Sequence, residues 1–363
     1  MHITRLVVEE LRAIDRLELD LRNATGQPRR RTILLGVNGA GKTTTLDAIV
    51  HAFCELAKKD HLGAAKLGAS DVRDVELPAR KKKLEARRGT ITMDAALSDD
   101  ELREISVEPS AQTRQGPMTF SVGDAWDRLL PPIPDPLDSG MGILMPAQPD
   151  PELFGTLASI ATRAVFQGNA GHAIQHLHPA CIFLPADRGI LEHRDDLTLK
   201  EIMAFESCSQ SLSRNRSRFA PIAARLALAH NAPQTDEGKA VARMWKVLAK
   251  YFVDLPKPVS ADNAVLRFRN KSGAIVPLSA LSDGERAILL IFAELALRAP
   301  TSCVVLIDEI EQHLHPRWQR EILAALLVMA PLAQFIITTQ SPYLAACAPD
   351  DVIKLPGWEE HGE

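Results

Sequence analysis

The sequence predicts an α/β protein built on a largely parallel sheet, and three observations carry that expectation. The last third of the chain alternates helical and strand patterns, in "CVVLIDEIE", "HPRWQREILAALLVMA", "AQFIITTQSP" and "DVIKL". Such alternation is how parallel strands joined by helical crossovers read. "RRRTILLGVNGAGKTTTLDAIV" runs from a leucine-rich strand through a glycine loop into an amphipathic helix. Finally, "CVVLI" is apolar at every position, as a central strand buried on both faces must be.

The elements follow in order. "MHITRLVVEELRAIDRLELDL" alternates apolar and charged residues and reads as strand, turn, strand, not as a signal peptide. After the glycine loop and its helix, residues 86–122 read as short strands ("RRGTITMDAAL", "PMTFSV") around a helix ("SDDELREISV"). Seven prolines between Pro131 and Pro151 exclude helix or central strand there and mark a linker. "ACIFLPADRG" (180–189) returns as a strand ending in a polar turn, and residues 190–254 read as mostly helical. A hairpin over 263–278 turns at Asn270–Gly273 and leads into "LSDGERAILLIFAELA". The expected organisation is a core formed by 1–130 and 255–363, interrupted at 131–254 by the linker, the returning strand and a helical insert.

The net charge of −4 gives no global argument for nucleic acid or membrane. No apolar stretch approaches a membrane span. Cys54, Cys181, Cys208, Cys303 and Cys347 lie far apart with no CxxC pair. That spacing favours a reducing cytoplasm and buried thiols over disulfides or structural zinc.

Two stretches could seat a phosphate. "GVNGAGKT", Gly36 to Thr43, fits the phosphate-loop pattern between a strand and a helix. Its glycines let the N–H groups of Gly36, Asn38, Gly39, Ala40, Gly41 and the first helical residues curl around phosphate. Lys42 supplies mobile charge, and Thr43 can ligate Mg²⁺, with Thr44 beside it. Ser282-Asp283-Gly284-Glu285 opens a long apolar helix and offers a second anion seat, or a capping box alone. Asp308 and Glu309 end the apolar strand, where ligands bind in such sheets. Asp308 is the expected Mg²⁺ holder and Glu309 the expected general base. The alternative is that Glu309 and Glu311 cap the next helix.

Together "GVNGAGKTT", "LSDGER", "LIDEIEQHLHP" and "FIITTQSP" resemble ATP-binding-cassette ATPases of the SMC/RecF/OLD-like branch, over roughly 1–125 and 262–363. The resemblance implies a phosphate-loop NTPase head of two lobes, with a mixed or parallel sheet and an inserted helical module. It implies ATP and Mg²⁺ as cofactors and a head-to-tail dimer with a second copy of the chain. There Ser282, Gly284 and Glu285 would face the terminal phosphate held by the partner. His313 and His315 would fall in the loop along that interface. Arg12 matches an arginine that lies near nucleotide in relatives, or is a solvated turn residue. Asp187 and Arg188 are candidates for a Mg²⁺-touching loop, or form a structural turn. Gln340 replaces the histidine that relatives carry as a sensor of the terminal phosphate, which points to slow turnover.

The resemblance further implies a separate effector, a nuclease or toxin, in antiphage defence or DNA repair. A compact helical insert at 131–254 is expected in place of the long coiled coil of SMC proteins. Because the chain ends soon after its last core strand, no C-terminal Toprim domain is expected. The basic clusters Pro28–Arg31, Arg80–Gly89 and Arg214–Arg218 leave a DNA-backbone contact open. The rival readings are a non-hydrolysing ATP-sensing scaffold and a transporter energy module.

Overall fold

The computed structural model describes residues 2–60, 89–96, 115–122, 181–192, 219–262, 265–298 and 303–358. The helix expected over 98–107, the proline-rich stretch and two basic clusters (80–88 of the first, and 214–218) lie outside them.

Strands β1 (His2–Leu11) and β2 (Ile14–Asp20) form the expected hairpin, followed by β3 (Arg31–Leu35), helix α1 (Lys42–Asp60), and strands β4 (Gly89–Ala96) and β5 (Gln115–Val122). After β6 (Cys181–Leu184) come α2 (Ile222–Asn231) and α3 (Asp236–Tyr251). Then follow β7 (Lys257–Asp262), β8 (Val265–Arg269), β9 (Ile275–Pro277) and α4 (Asp283–Arg298). The chain closes with β10 (Val304–Ile307), α5 (Pro316–Met329), β11 (Gln334–Thr339), α6 (Pro342–Ala346) and β12 (Val352–Lys354).

The central sheet has the order β12-β3-β11-β10-β6, parallel throughout. Its strands are short and apolar, and their side chains alternate between two cores. Phe183 and Leu306 face α1 and the antiparallel sheet β2-β1-β4-β5. Leu184 and Ile307 face α4, α5 and the pair α2–α3. Helices α1 and α4 therefore cover opposite faces of the same sheet.

Helix α4 is apolar almost all round and buries eleven of its sixteen residues, as a helix enclosed on every side must. Phe292 is fully buried and meets Phe252 edge-on at 5.7 Å. Burying one such ring contributes about 1.5–3 kcal/mol. Within the helix Glu294 and Arg298 form a buried i,i+4 ion pair at 2.6 Å. Helices α2 and α3 belong to this same core, not to a body of their own.

Strand β7 departs from expectation. The sequence pattern marks only the hairpin, because "KPVSAD" carries a proline and little alternation. Strand β7 sits at the edge of its three-stranded sheet with a register shift between Pro258 and Ser260, the two places where a strand tolerates proline. The thiols also divide: Cys181 and Cys303 are buried as expected, whereas Cys347 is exposed.

Candidate nucleotide site

The glycine loop joins the carboxyl end of β3 to α1 and lies against the β1–β2 turn. Gly41 has φ 84°, and a Cβ there would meet Ile14 Cγ1 at 2.9 Å, so conformation and space both require glycine. Lys42 is 5 % exposed and folds back, its amine donating to the Gly36 and Val37 carbonyls at 2.8 Å each. Burial pushes its pKa down, while Glu309, Asp308 and Glu311 push it back up.

The ends of β10 and β11 meet this loop. Thr43 donates its hydroxyl proton to Asp308 Oδ2 at 2.9 Å, and Thr338 donates to Asp308 Oδ1 at 2.6 Å. Glu309 holds a left-handed backbone, φ 46°, a conformation that costs a non-glycine residue about 1–2 kcal/mol. Its N–H donates to Thr338 Oγ1 at 2.8 Å, and its carboxylate accepts from Gln340 Nε2 at 2.9 Å. Glu311 accepts the Gln340 backbone N–H at 2.6 Å. Neither glutamate caps the next helix: His315 does, accepting from the Arg317 N–H through Nδ1 at 3.2 Å. Thr43, Asp308, Glu309 and Gln340, separated widely in sequence, thus form one hydrogen-bonded group beside Lys42.

Ser282 and Glu285 make a capping box at the start of α4, on the other face of the sheet. Glu285 accepts from the Ser282 N–H at 2.7 Å and from its hydroxyl at 2.9 Å. Gly284 allows close approach, since a Cβ there would lie 2.6 Å from the His313 carbonyl oxygen. Ser282, Gly284, Glu285, His313 and His315 line one open cleft of about 730 Å³, together with the hairpin turn Asn270–Ser272. The two expected phosphate seats are therefore well separated in the fold, and the histidine loop sits with the second.

Residues 178–346 match the family model described as "AAA domain, putative AbiEii toxin, Type IV TA system". The chain is 33 % identical over 96 residues to "Retron Vc95 probable ATPase" of Vibrio cholerae serotype O1 biovar El Tor, covering 23 % of this chain and 19 % of that one. It is 39 % identical over 72 residues to "Septu protein PtuA" of Bacillus mycoides (strain KBAB4), covering 18 % and 10 %. The matches span under a fifth of either relative's length. Across 98 % of this chain and 94 % of the other, the structure is similar to an SMC head crystallised with the C-terminal winged-helix domain of ScpA, with a TM-score of 0.53 at 13 % identity. That likeness shows an α/β phosphate-loop ATPase fold. In these matches and in its fold the chain is similar to SMC/RecF-like ATPases. Among the described residues, no helix is long and apolar enough to cross a membrane.

The remaining candidates separate. Arg12 lies in the β1–β2 turn with φ 54° and donates to Asp47 Oδ2 of α1 at 2.8 Å. Asp47 is 1 % exposed, so Arg12 is tied to the phosphate-loop helix and is not a merely solvated turn residue. Asp187 and Arg188 part company: Asp187 is exposed, whereas Arg188 is buried beneath the acidic strand end. In the cluster Pro28–Arg31, Arg29 donates to the Asp350 carbonyl and Arg31 pairs with Asp351 at 2.6 Å. Those two arginines hold the edge of the sheet. Thr338 is a site residue that no motif announces, although it stands two residues before Gln340 in "TTQSP". Glu311 likewise joins the site through the Gln340 N–H and not through the helix cap that its sequence position suggests.

Proposed function

We propose that this chain binds and hydrolyses ATP, and that nucleotide closes a head-to-tail dimer which gates a separate effector protein. One observation carries the reading: the Thr43 hydroxyl and Asp308 carboxylate stand 2.9 Å apart at the loop exit, with Glu309 and Gln340 paired beside them. Gly36, Asn38, Gly39, Ala40, Gly41, Thr43 and Thr44 cradle the phosphates, and Lys42 swings from its own carbonyls onto the terminal oxygens. Thr43 and Asp308 are hard oxygen donors side by side, the set by which Mg²⁺ is held together with phosphates. Mg²⁺ when bound neutralises charge on the β- and γ-oxygens. Glu309 takes the proton of the attacking water, and Gln340 orients Glu309 through its amide. A neutral amide cannot carry charge as histidine can, so turnover is slow. Arg12 steadies the first turn of α1 through Asp47.

Ser282, Gly284 and Glu285 meet the γ-phosphate held by the partner protomer. Placement of α1 and α4 on opposite faces of the sheet supports this, because a protomer's second seat faces away from its own loop. The terminal phosphate adds charge-assisted hydrogen bonds that ADP lacks. The ATPase core is assigned to 1–130 and 255–363, and the described parts of 131–254, β6 and helices α2–α3, pack into it. Likeness to a retron ATPase and a Septu protein supports a setting in prokaryotic antiphage defence. A DNA-backbone contact and a role in DNA repair have weaker support, because Arg29 and Arg31 already serve the sheet edge.

Steady-state phosphate release from wild type and Glu309→Gln tests the reading. Release from the wild type should exceed the variant by about 100-fold or more, the scale of a lost general base. Gln340 in the sensor position favours one rival, a scaffold that ATP assembles without hydrolysis. Equal, background-level release from both proteins would establish that rival.

A further inference from the structure

The peptide unit joining the two carboxylate residues is clamped at both ends. Its carbonyl, on Asp308, accepts from Arg188 Nη1 at 2.8 Å. Its N–H, on Glu309, donates to Thr338 Oγ1 at 2.8 Å. Arg188 reaches two further main-chain carbonyls, Pro185 at 3.2 Å and Glu309 at 3.4 Å. It comes from the turn that follows β6, the strand paired with β10, so its anchor is the sheet itself.

The choice of acceptors is informative. A buried arginine serving only as a counter-charge would pair directly with a carboxylate. This one, 3 % exposed with three carboxylates nearby, bonds carbonyls and leaves both Asp308 oxygens to Thr43 and Thr338. The planar fork of a guanidinium suits several carbonyls at once, which a single ammonium does not. Burial pushes the Arg188 pKa down to about 10 while Asp308, Glu311 and Glu309 oppose that shift, so the group stays charged at neutral pH.

We infer that Arg188 is a positioning residue of the hydrolytic site, fixing the plane of the 308–309 peptide and with it the directions of both carboxylates. The plane matters because Glu309 sits in a left-handed conformation that its own side chain disfavours. Without the fork the peptide can rotate, turning Glu309 away from Gln340 and Asp308 away from Thr43. This inference rests on the ATPase reading above.

The test compares wild type, Arg188→Gln, Arg188→Lys and Glu309→Gln in steady-state hydrolysis and in ATP binding with and without Mg²⁺. Groups that orient metal-site residues typically change activity or metal affinity by about 10–100-fold when lost. Arg188→Gln should lose kcat on that scale, with Mg²⁺-free ATP affinity within about threefold of wild type. Arg188→Lys, which keeps the charge and can reach one carbonyl, should retain more activity than Arg188→Gln. Unchanged kcat in Arg188→Gln would overturn the inference. So would a kcat loss matched by loss of Mg²⁺-free binding in both variants, which would mark a structural role. Should wild type release no more phosphate than Glu309→Gln, the hydrolysis reading fails by itself. Arg188 is then judged by the Mg²⁺-dependent gain in ATP affinity, which Arg188→Gln must lose and wild type must keep.

Discussion

The two proposed phosphate seats differ in how much of their geometry one chain supplies. On the α1 face, Thr43, Asp308, Thr338, Glu309 and Gln340 are joined through contacts of 2.6–2.9 Å. On the α4 face, Ser282 and Glu285 hold each other at the rim of an open cleft. A site laced to itself can bind ligand in a single protomer. A capped helix start beside an open cleft gains a role when a second body arrives. The strongest way to break this contrast is to disable each seat alone. Lys42→Ala should weaken ATP binding by about 3 kcal/mol, roughly 100-fold, in titration calorimetry. Ser282→Arg should leave that affinity within about threefold but abolish the ATP-dependent dimer in light scattering.

Mixing the two variants sharpens the point. In a head-to-tail dimer both defects fall in one composite site and the other site is intact. Phosphate release from an equal mixture should therefore rise above either variant alone, towards about a quarter of wild type if subunits exchange at random. No gain on mixing would mean that each chain hydrolyses ATP without its partner's second seat.

The same contrast explains what the sequence could tell. The phosphate loop and the acidic strand end were legible because their chemistry is local: glycines, lysine and hydroxyl in eight residues, two carboxylates after an apolar run. Their convergence was also foreseeable, since parallel strands bring their carboxyl ends together. What fixes the acidic end was not legible. Arg188 acts across 120 residues, and nothing in "PADRG" says that its guanidinium turns inward while Asp187 turns out. Nor does sequence show that Glu309 is left-handed, because that strain is imposed by neighbours on other strands. Gly284 was read as part of an anion seat, whereas the fold adds a steric reason: the His313 carbonyl needs its space.

That steric reason gives a smaller effect. Gly284→Ala places a methyl group 2.6 Å from a main-chain oxygen and should cost about 1–3 kcal/mol, the usual range for overpacking. Chemical denaturation measures it. Titration calorimetry should find ATP affinity unchanged, because the disturbance lies on the α4 face. Weaker ATP binding in this variant would show that the two faces are coupled within one protomer.

The smallest effect belongs to the outer wall of the cleft. Asp254 accepts from Lys271 of the hairpin turn at 2.9 Å and from Arg317 at the start of α5 at 2.8 Å. The Lys271 hydrogen bond, aided by the charges of Lys271 and Arg317, holds the carboxyl below its ordinary range. A depressed carboxylate pKa stabilises the fold above the unfolded value, and that gain is lost as pH falls through the folded one. Asp254→Asn should therefore lower Tm slightly at pH 7, and the gap should close below about pH 4. Salt should shrink the gap as well, since all three groups are at least a third exposed. A gap that survives both acid and salt would mean that Asp254 works through packing and not charge. ATP affinity should not follow the gap in either case, because the hairpin and α5 wall the second seat and leave the glycine loop untouched.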